Sequence, residues 1–366
     1  MRFFFLVGII ILISCKSEIK NPIERVMTSQ NSQIKAVFDA IEDHEVQILF
    51  TEIKRQHDTV YFEDHVYQVD DSCYFYPAST VKLPIAILAL EKLNTNKLID
   101  RNTVFNLEND SIKTTVSKAI ERIFAVSDNT AFNQLFEYLG KDYINLKLKE
   151  KGIKGSVSHR LSVTNSDDLK TKPLVFYNNN KVVFKTSSHI NDPIKPLKLK
   201  KLKKGKGFKV GDSLVNAPMD FALKNYLPLT ALHGIMKRIM FPELYPKKAQ
   251  FHLTENDRNF IIQAMGMLPH EAGYLSKEYH ESYVKFLMFG DSKAAIPKHI
   301  KIYNKVGSAY GTLTDCAYII NEKTKKEFIM TATIHVNKNQ VFNDNIYEYD
   351  TIGLSFLAEL GRQLVD

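Results

Sequence analysis

The pair in this chain best placed to do chemistry is Ser79 and Lys82, three residues apart in "YFYPASTVKLPIAILAL" (residues 74–90). A serine hydroxyl is a weak nucleophile near neutral pH and needs a base within reach. Residues i and i+3 share a face of a helix. A helix starting near residue 81 therefore brings the Lys82 amine beside the Ser79 hydroxyl. To take a proton, that amine must be partly neutral, a state favoured by desolvation or by a second cation. The Ser79 N–H, at a helix N-terminus, is also placed to stabilise a developing oxyanion. The same spacing fits a plainer alternative, in which Ser79 only caps the helix.

Two further clusters bear on that choice. "AVSDNTAF" puts Ser127, Asp128 and Asn129 at the break between two helical patterns. "NKVGSAYGTLTDCAYII" puts Lys305, Val306 and Gly307 on or beside a strand near the C-terminus. Taken singly, one is a helix cap and the other a surface cation. Taken together and in this order, they resemble the penicillin-recognising serine hydrolases, most closely the class A β-lactamases, marked by S-x-x-K, S-D-N and K-T-G. The resemblance runs over about residues 40–366.

The resemblance implies roles. Ser79 attacks a carbonyl and becomes acylated, with Lys82 as base or proton relay. Ser127 shuttles a proton to the leaving nitrogen. Asn129 bonds the substrate amide and helps fix Lys82. Lys305 supplies positive potential, and Gly307 and Ser308 follow on the same strand, with the Ser308 and Ser79 N–H groups as the oxyanion hole.

The pattern also departs from that family. Val306 replaces the hydroxyl residue of K-T-G, and valine has no donor. One hydrogen bond to an anion is worth about 1.5–3 kcal/mol, so carboxylate recognition is weakened unless Ser308 takes part of it over. Class A enzymes also carry a loop glutamate that activates the deacylating water. If Arg160 and Leu161 in "SHRLSVTNSDDL" match the residues before that glutamate, Asn165 falls in its place. An amide cannot accept that proton. Asp167 and Asp168 are the alternatives if the loop shifts.

The elements that must position these groups follow from periodicity. A helix is expected from Ile34 to Ile41, strands over 45–53 and 59–68, and a buried helix over 81–93. Helices follow over 117–126 and 130–139, a hairpin over 174–188, and helices over 218–240, 256–266 and 276–288. Strands return over 313–321 and 326–336, with a final helix over 351–364. Strands at both chain ends and helices between them imply an α+β fold. One antiparallel sheet is built from residues 31–70 and 295–366 and flanked by helices. A mainly helical lobe, 71–294, is inserted in it. Within that lobe, residues 170–215 are an insertion relative to the family. Eight lysines lie between Lys195 and Lys209, read as a solvated face or as a patch for anionic polymer or lipid headgroups.

The chain has 366 residues, a net charge of +8 and 44% apolar residues. That allows a sizeable core and anionic partners without demanding them. An apolar run over 3–13 after Arg2 is too short to span a bilayer. It has secretory proportions and ends in "LISC", which resembles a lipobox. The expectation is a signal peptide over 1–14, lipidation at Cys15, a tether over 15–30, and an exported protein anchored to a bacterial membrane. Cys73 and Cys316 are left, and their pairing is open. No metal-ligand spacing and no dinucleotide fingerprint occur, so no cofactor or metal is expected. Nucleic acid is not an expected partner, because the lysine run has no interleaved aromatics. The expected substrate is a small-molecule β-lactam or a cell-wall peptide, acted on by a monomer. The competing functions are a D,D-peptidase-like or esterase-like hydrolase, and a binding module that keeps the cleft without turnover.

Overall fold

The computed structural model describes residues 21–57 and 59–365. The expected signal peptide and Cys15 lie outside the described residues. Part of the expected tether does not: Pro22–Met27 (α1) is helical, capped by Asn21, with Ile23 and Val26 buried. That apolar pair, three residues apart, gives the segment a face to pack, so it is part of the folded body rather than a spacer.

The main sheet is antiparallel and drawn from both ends of the chain. Its strands are Gln47–Gln56 (β1), Thr59–Tyr67 (β2), Ile300–Ala309 (β3), Thr312–Asn321 (β4) and Lys326–His335 (β5), in the spatial order β3-β4-β5-β1-β2. The sheet is a middle layer. On one face it packs against α1, Ser32–Phe38 (α2) and the C-terminal helix Leu354–Val365. That helix lays Phe356, Leu357, Leu360 and Leu364 into the core. Such a leucine or phenylalanine side chain contributes roughly 1.5–3 kcal/mol when fully buried.

The other face meets the helical lobe. Lys82–Leu93 (α3) is buried at every residue but Lys92 and runs through its centre, as a helix with apolar residues on all its faces must. Pro84 is tolerated because it sits in the first turn. Around α3 pack Val116–Ala125 (α4), Asn129–Leu139 (α5), Lys141–Glu150 (α6), Leu229–Met240 (α7) and Glu255–Gly266 (α8).

Three expected elements differ. The helix expected over 218–240 begins only at Leu229, because Pro228 stands at its N-cap. The helix expected over 276–288 is a run of turns ending in the short helix Phe286–Phe289. Tyr279 and Tyr283 have helical spacing, but their rings meet edge to face instead, with the Tyr274 ring tilted against Tyr279. The hairpin over 174–188 forms as Leu174–Asn178 and Lys181–Lys185, and gains a third strand, Val104–Leu107.

The lysine-rich segment is folded. Leu197, Leu199 and Leu202 turn inward onto a cluster containing Tyr74, Tyr76, Phe221 and Phe342. The Gly207–Val210 strand pairs with Ser213–Val215 on one side and with Val341–Phe342 on the other. Cys73 and Cys316 are free thiols, and Cys316 is fully buried on β4.

Candidate active site

From Tyr74 to Glu91 every residue is buried except Ser79, which is half-buried. Ser79 lies in a 3₁₀ turn, Ala78–Val81, that leads directly into α3. The preceding Ala78 has φ 46°, a left-handed conformation that is uncommon for a residue with a side chain. Strained backbone of this kind persists only where its surroundings enforce it, and it gathers at functional sites.

β3 enforces it. A Cβ added to Gly307 would stand 2.6 Å from the Pro77 carbonyl oxygen and 3.1 Å from the Ser79 nitrogen. Only glycine allows the strand to run this close to the Ser79 backbone. Ser308, the next residue, is exposed, and Ser79 and Ser308 line the same cavities. Val306 is buried in the sheet core and also faces the cavity beside Ser127.

Lys82 begins α3 and is fully buried. Its amine donates to Asn129 Oδ1 at 2.7 Å, to Ser127 Oγ at 3.3 Å and to the Ser127 carbonyl. It does not bond the Ser79 hydroxyl among the described residues. Catalytic hydrogen bonds are often long without substrate and tighten when it binds. Lys305 on β3 is buried too, and donates to Ser127 Oγ at 2.9 Å and to the Val306 carbonyl at 2.9 Å. Two amines thus converge on one hydroxyl.

Ser127 is the hinge of this arrangement. It has φ 58° at the junction of α4 and α5. Asp128 caps α5 through the Ala131 N–H at 2.8 Å and is paired with Arg122 at 2.6 Å. The cap and the ion pair fix the turn that aims Ser127 and Asn129 at the two lysines.

Electrostatics follow from burial. Desolvation pulls the Lys82 pKa down to about 7, against a smaller opposing pull from Asp128. Desolvation also pulls Lys305 well below the usual range, and the neighbouring Lys82 adds to the effect. Both shifts run the same way, because burial disfavours the charged form of each amine. The site therefore holds a partly neutral amine near neutral pH, as a base must be.

Of the loop residues Asn165, Asp167 and Asp168, none lines either cavity beside Ser79, and all three are exposed. Asn165, expected at the deacylation position, thus stands outside both cavities. Among the loop residues that line the larger cavity, Ser162 bonds the site directly: its Oγ accepts from Asn129 Nδ2 at 2.9 Å. Left-handed turns at Ser162 and Asn165, with φ 53° and 54°, shape the loop, whose Val163 and Ser166 also line the larger cavity while Asn165, Asp167 and Asp168 do not. Its base is pinned by Arg160, which pairs with the buried Glu137 at 2.6 Å and donates to the Asp168 and Lys170 carbonyls. The only carboxylate lining the two cavities among the described residues is Asp128, already committed to Arg122 and the cap.

Sequence reading missed most of the walls. A cavity of about 620 Å³ opens from Ser79 past Tyr76, His159, Lys224, Tyr310, Tyr347 and Tyr349. A second, of about 440 Å³, opens past Ser127 toward Tyr274, Tyr279 and Tyr283. These tyrosines come from distant segments, and no local spacing announces them. Burial pulls the His159 pKa down to about 4, so its imidazole is neutral at physiological pH.

No curated protein matches the sequence. Residues 30–190 match the model of the β-lactamase enzyme family. Among solved structures, a PBP-A variant captured as an acyl-enzyme complex with penicillin G is similar. It is 13% identical with a TM-score of 0.50, over 91% of this chain and 93% of that one. A β-lactamase from Sphaerobacter thermophilus gives 13%, 0.50, 91% and 97% in the same order. One from Burkholderia ambifaria gives 11%, 0.51, 90% and 98%. With its antiparallel sheet and inserted helical lobe, the chain has the β-lactamase/transpeptidase-like fold.

Proposed function

We propose that this protein is an active-site serine hydrolase that is acylated at Ser79 by a β-lactam or a related amide or ester, and that releases the acyl group slowly. One observation carries the reading: two buried, pKa-lowered amines, Lys82 and Lys305, meet at Ser127 beside the one accessible residue of the nucleophile segment. In this reading Lys82, neutral, takes the Ser79 proton as the hydroxyl oxygen bonds the carbonyl carbon. The N–H groups of Ser79 and Ser308 hold the oxyanion. Ser127 then passes a proton, drawn from the amine pair, to the leaving nitrogen as its bond to carbon breaks. Asn129 orients Lys82 and the substrate amide.

Slow release is supported by the cleft walls. Hydrolysis of the ester needs a base for water, and Ser162 faces Asn129 where a carboxylate would serve. The structurally similar PBP-A variant was captured as a penicillin acyl-enzyme. A D,D-peptidase-like or esterase-like hydrolase acting on cell-wall peptide or another acyl donor uses the same residues and is the second reading. A binding module without turnover is the third, supported by Val306 and by the missing free carboxylate. The resemblance of residues 3–15 to a lipobox segment further supports export, lipidation at Cys15 and attachment to a bacterial membrane. A monomer is the working assembly.

The readings separate in one experiment. The soluble domain is incubated with benzylpenicillin and, separately, with a p-nitrophenyl ester, while turnover is followed. A lasting penicillin adduct with little turnover supports the first reading. Rapid penicillin turnover contradicts slow release. Ester turnover without a penicillin adduct favours the esterase, and neither reaction leaves the binding module.

A further inference from the structure

We propose that Lys224 forms an anion subsite for the acyl portion of the ligand, so that the preferred acyl donor carries a carboxylate or similar anionic group on its acyl side. This rests on the serine hydrolase reading for the orientation of the ligand, though not for the existence of the subsite.

Lys224 lines the larger cavity together with Ser79. It is half-buried, and its ammonium has no hydrogen bond or ion pair among the described residues. The other cation on these walls, Arg160, is neutralised by Glu137. Lys82 and Lys305 are spent on Ser127, Asn129 and the Val306 carbonyl. No Asp or Glu lines this cavity among the described residues. An unpaired ammonium in a pocket without acids sets up a positive potential that an anion would neutralise.

The position of Lys224 is built into the fold. The next residue, Asn225, is fully buried. Its Oδ1 accepts from the Ser158 and His159 N–H groups at 2.7 and 3.1 Å, and its carbonyl accepts from the Tyr74 hydroxyl at 3.0 Å. The Ser156 and Tyr226 backbones exchange two more bonds, of 2.7 and 2.8 Å. Lys224 is thus held on the same frame as His159, which is neutral and competes for no anion. Tyr76 and Tyr310, edge to face with centroids 4.8 Å apart, line the same cavity and offer an apolar wall.

Orientation follows from Ser127. The group that protonates the leaving nitrogen faces the smaller cavity, so the leaving group belongs there and the acyl portion in the larger one. Lys224 then meets the acyl side chain. Val306 weakens anion recognition on the leaving-group side. Lys224 supplies it on the opposite side of Ser79.

The test uses two penicillins that differ only by a carboxylate on the acyl side chain, benzylpenicillin and α-carboxybenzylpenicillin. Second-order acylation rates are read by intact mass for the wild type, Lys224→Gln and Lys224→Glu. Equilibrium binding of both ligands to Ser79→Ala, with and without Lys224→Gln, is measured in parallel. The expected preference for the carboxy compound is roughly tenfold in the wild type, the size of one charge-assisted contact. It falls to about one in Lys224→Gln and inverts in Lys224→Glu. The same ratio appears in binding to Ser79→Ala. A ratio near one in the wild type and in Ser79→Ala, or a preference that survives both Lys224 substitutions, overturns the subsite. If no adduct forms but binding keeps a Lys224-dependent preference, the subsite stands and the acylation reading falls.

Discussion

Ser162 Oγ lies 2.9 Å from Asn129 Nδ2, so, on the proposed reading, a hydroxyl stands where a deacylating carboxylate would serve. Asn129 bonds Lys82 through its other atom at 2.7 Å. Ser162 is therefore one side chain away from the proton-transfer centre. Ser162→Glu is expected to shorten the lifetime of the acyl-enzyme by at least about tenfold, the lower part of the range for a positioned general base. Decay of the penicillin adduct, followed by intact mass, checks this. An unchanged lifetime would mean that something other than the missing carboxylate limits release.

Acylation should depend on pH through Lys82. Its pKa is lowered to about 7 by burial, so its cationic form dominates below that value and cannot accept the Ser79 proton. The acylation rate therefore rises as pH increases through about 7 and levels off above it. His159, with a pKa of about 4, stays neutral across this window and does not set the limb. Lys82→Ala should cost about 10²–10⁴ in rate. A flat profile between pH 5 and 9 would remove Lys82 from the role of base.

The ion pair of Arg160 and Glu137 is a structural prediction of another kind. Both side chains are buried, at 7% and 3% exposure, so removing one leaves an uncompensated charge. Glu137→Gln is expected to destabilise the fold by about 3–5 kcal/mol and to loosen the Ser162 loop, because Glu137 also accepts from the Lys172 N–H at 2.8 Å. Chemical denaturation measures the first effect. Hydrogen exchange over residues 160–172 measures the second.

Gly205 ties the lysine-rich segment to the cleft. A Cβ there would stand 2.5 Å from the Gln340 carbonyl oxygen and 2.6 Å from the Phe342 ring, at φ 74°. The displaced chain leads into Asn343, Asn345, Tyr347 and Tyr349, which wall the larger cavity. Gly205→Ala should therefore slow acylation by penicillin several-fold and cost roughly 1–3 kcal/mol. A variant with lowered stability but unaltered acylation would show that the segment does not shape the cleft.

Legibility in the sequence tracked locality. Ser79 and Lys82 are one helical turn apart, Ser127 and Asn129 span a single helix break, and Lys305 to Ser308 lie on one strand. Their short-range spacing carries their geometry. Strands at both chain ends announced the central sheet, and the unbroken apolar run announced α3. That Asn165 lies outside the cavities was not legible, because the left-handed turns at Ser162 and Asn165 fall on residues that are not glycines and so gave no signal. Tyr279 and Tyr283 carry helical spacing without a helix. Lys224, Tyr310 and Tyr347 reach the cleft only through tertiary packing, and the leucines between the lysines gave no sign of the core that they enter.

The central claim is that Ser79 becomes covalently acylated. The most direct measurement is intact mass of the protein after exposure to benzylpenicillin, followed by peptide mapping, for the wild type and Ser79→Ala. The account predicts one penicilloyl group per chain, mapped to Ser79, persisting long after free penicillin is removed, and absent from Ser79→Ala. An adduct on another residue, or penicillin turnover by Ser79→Ala, would contradict it.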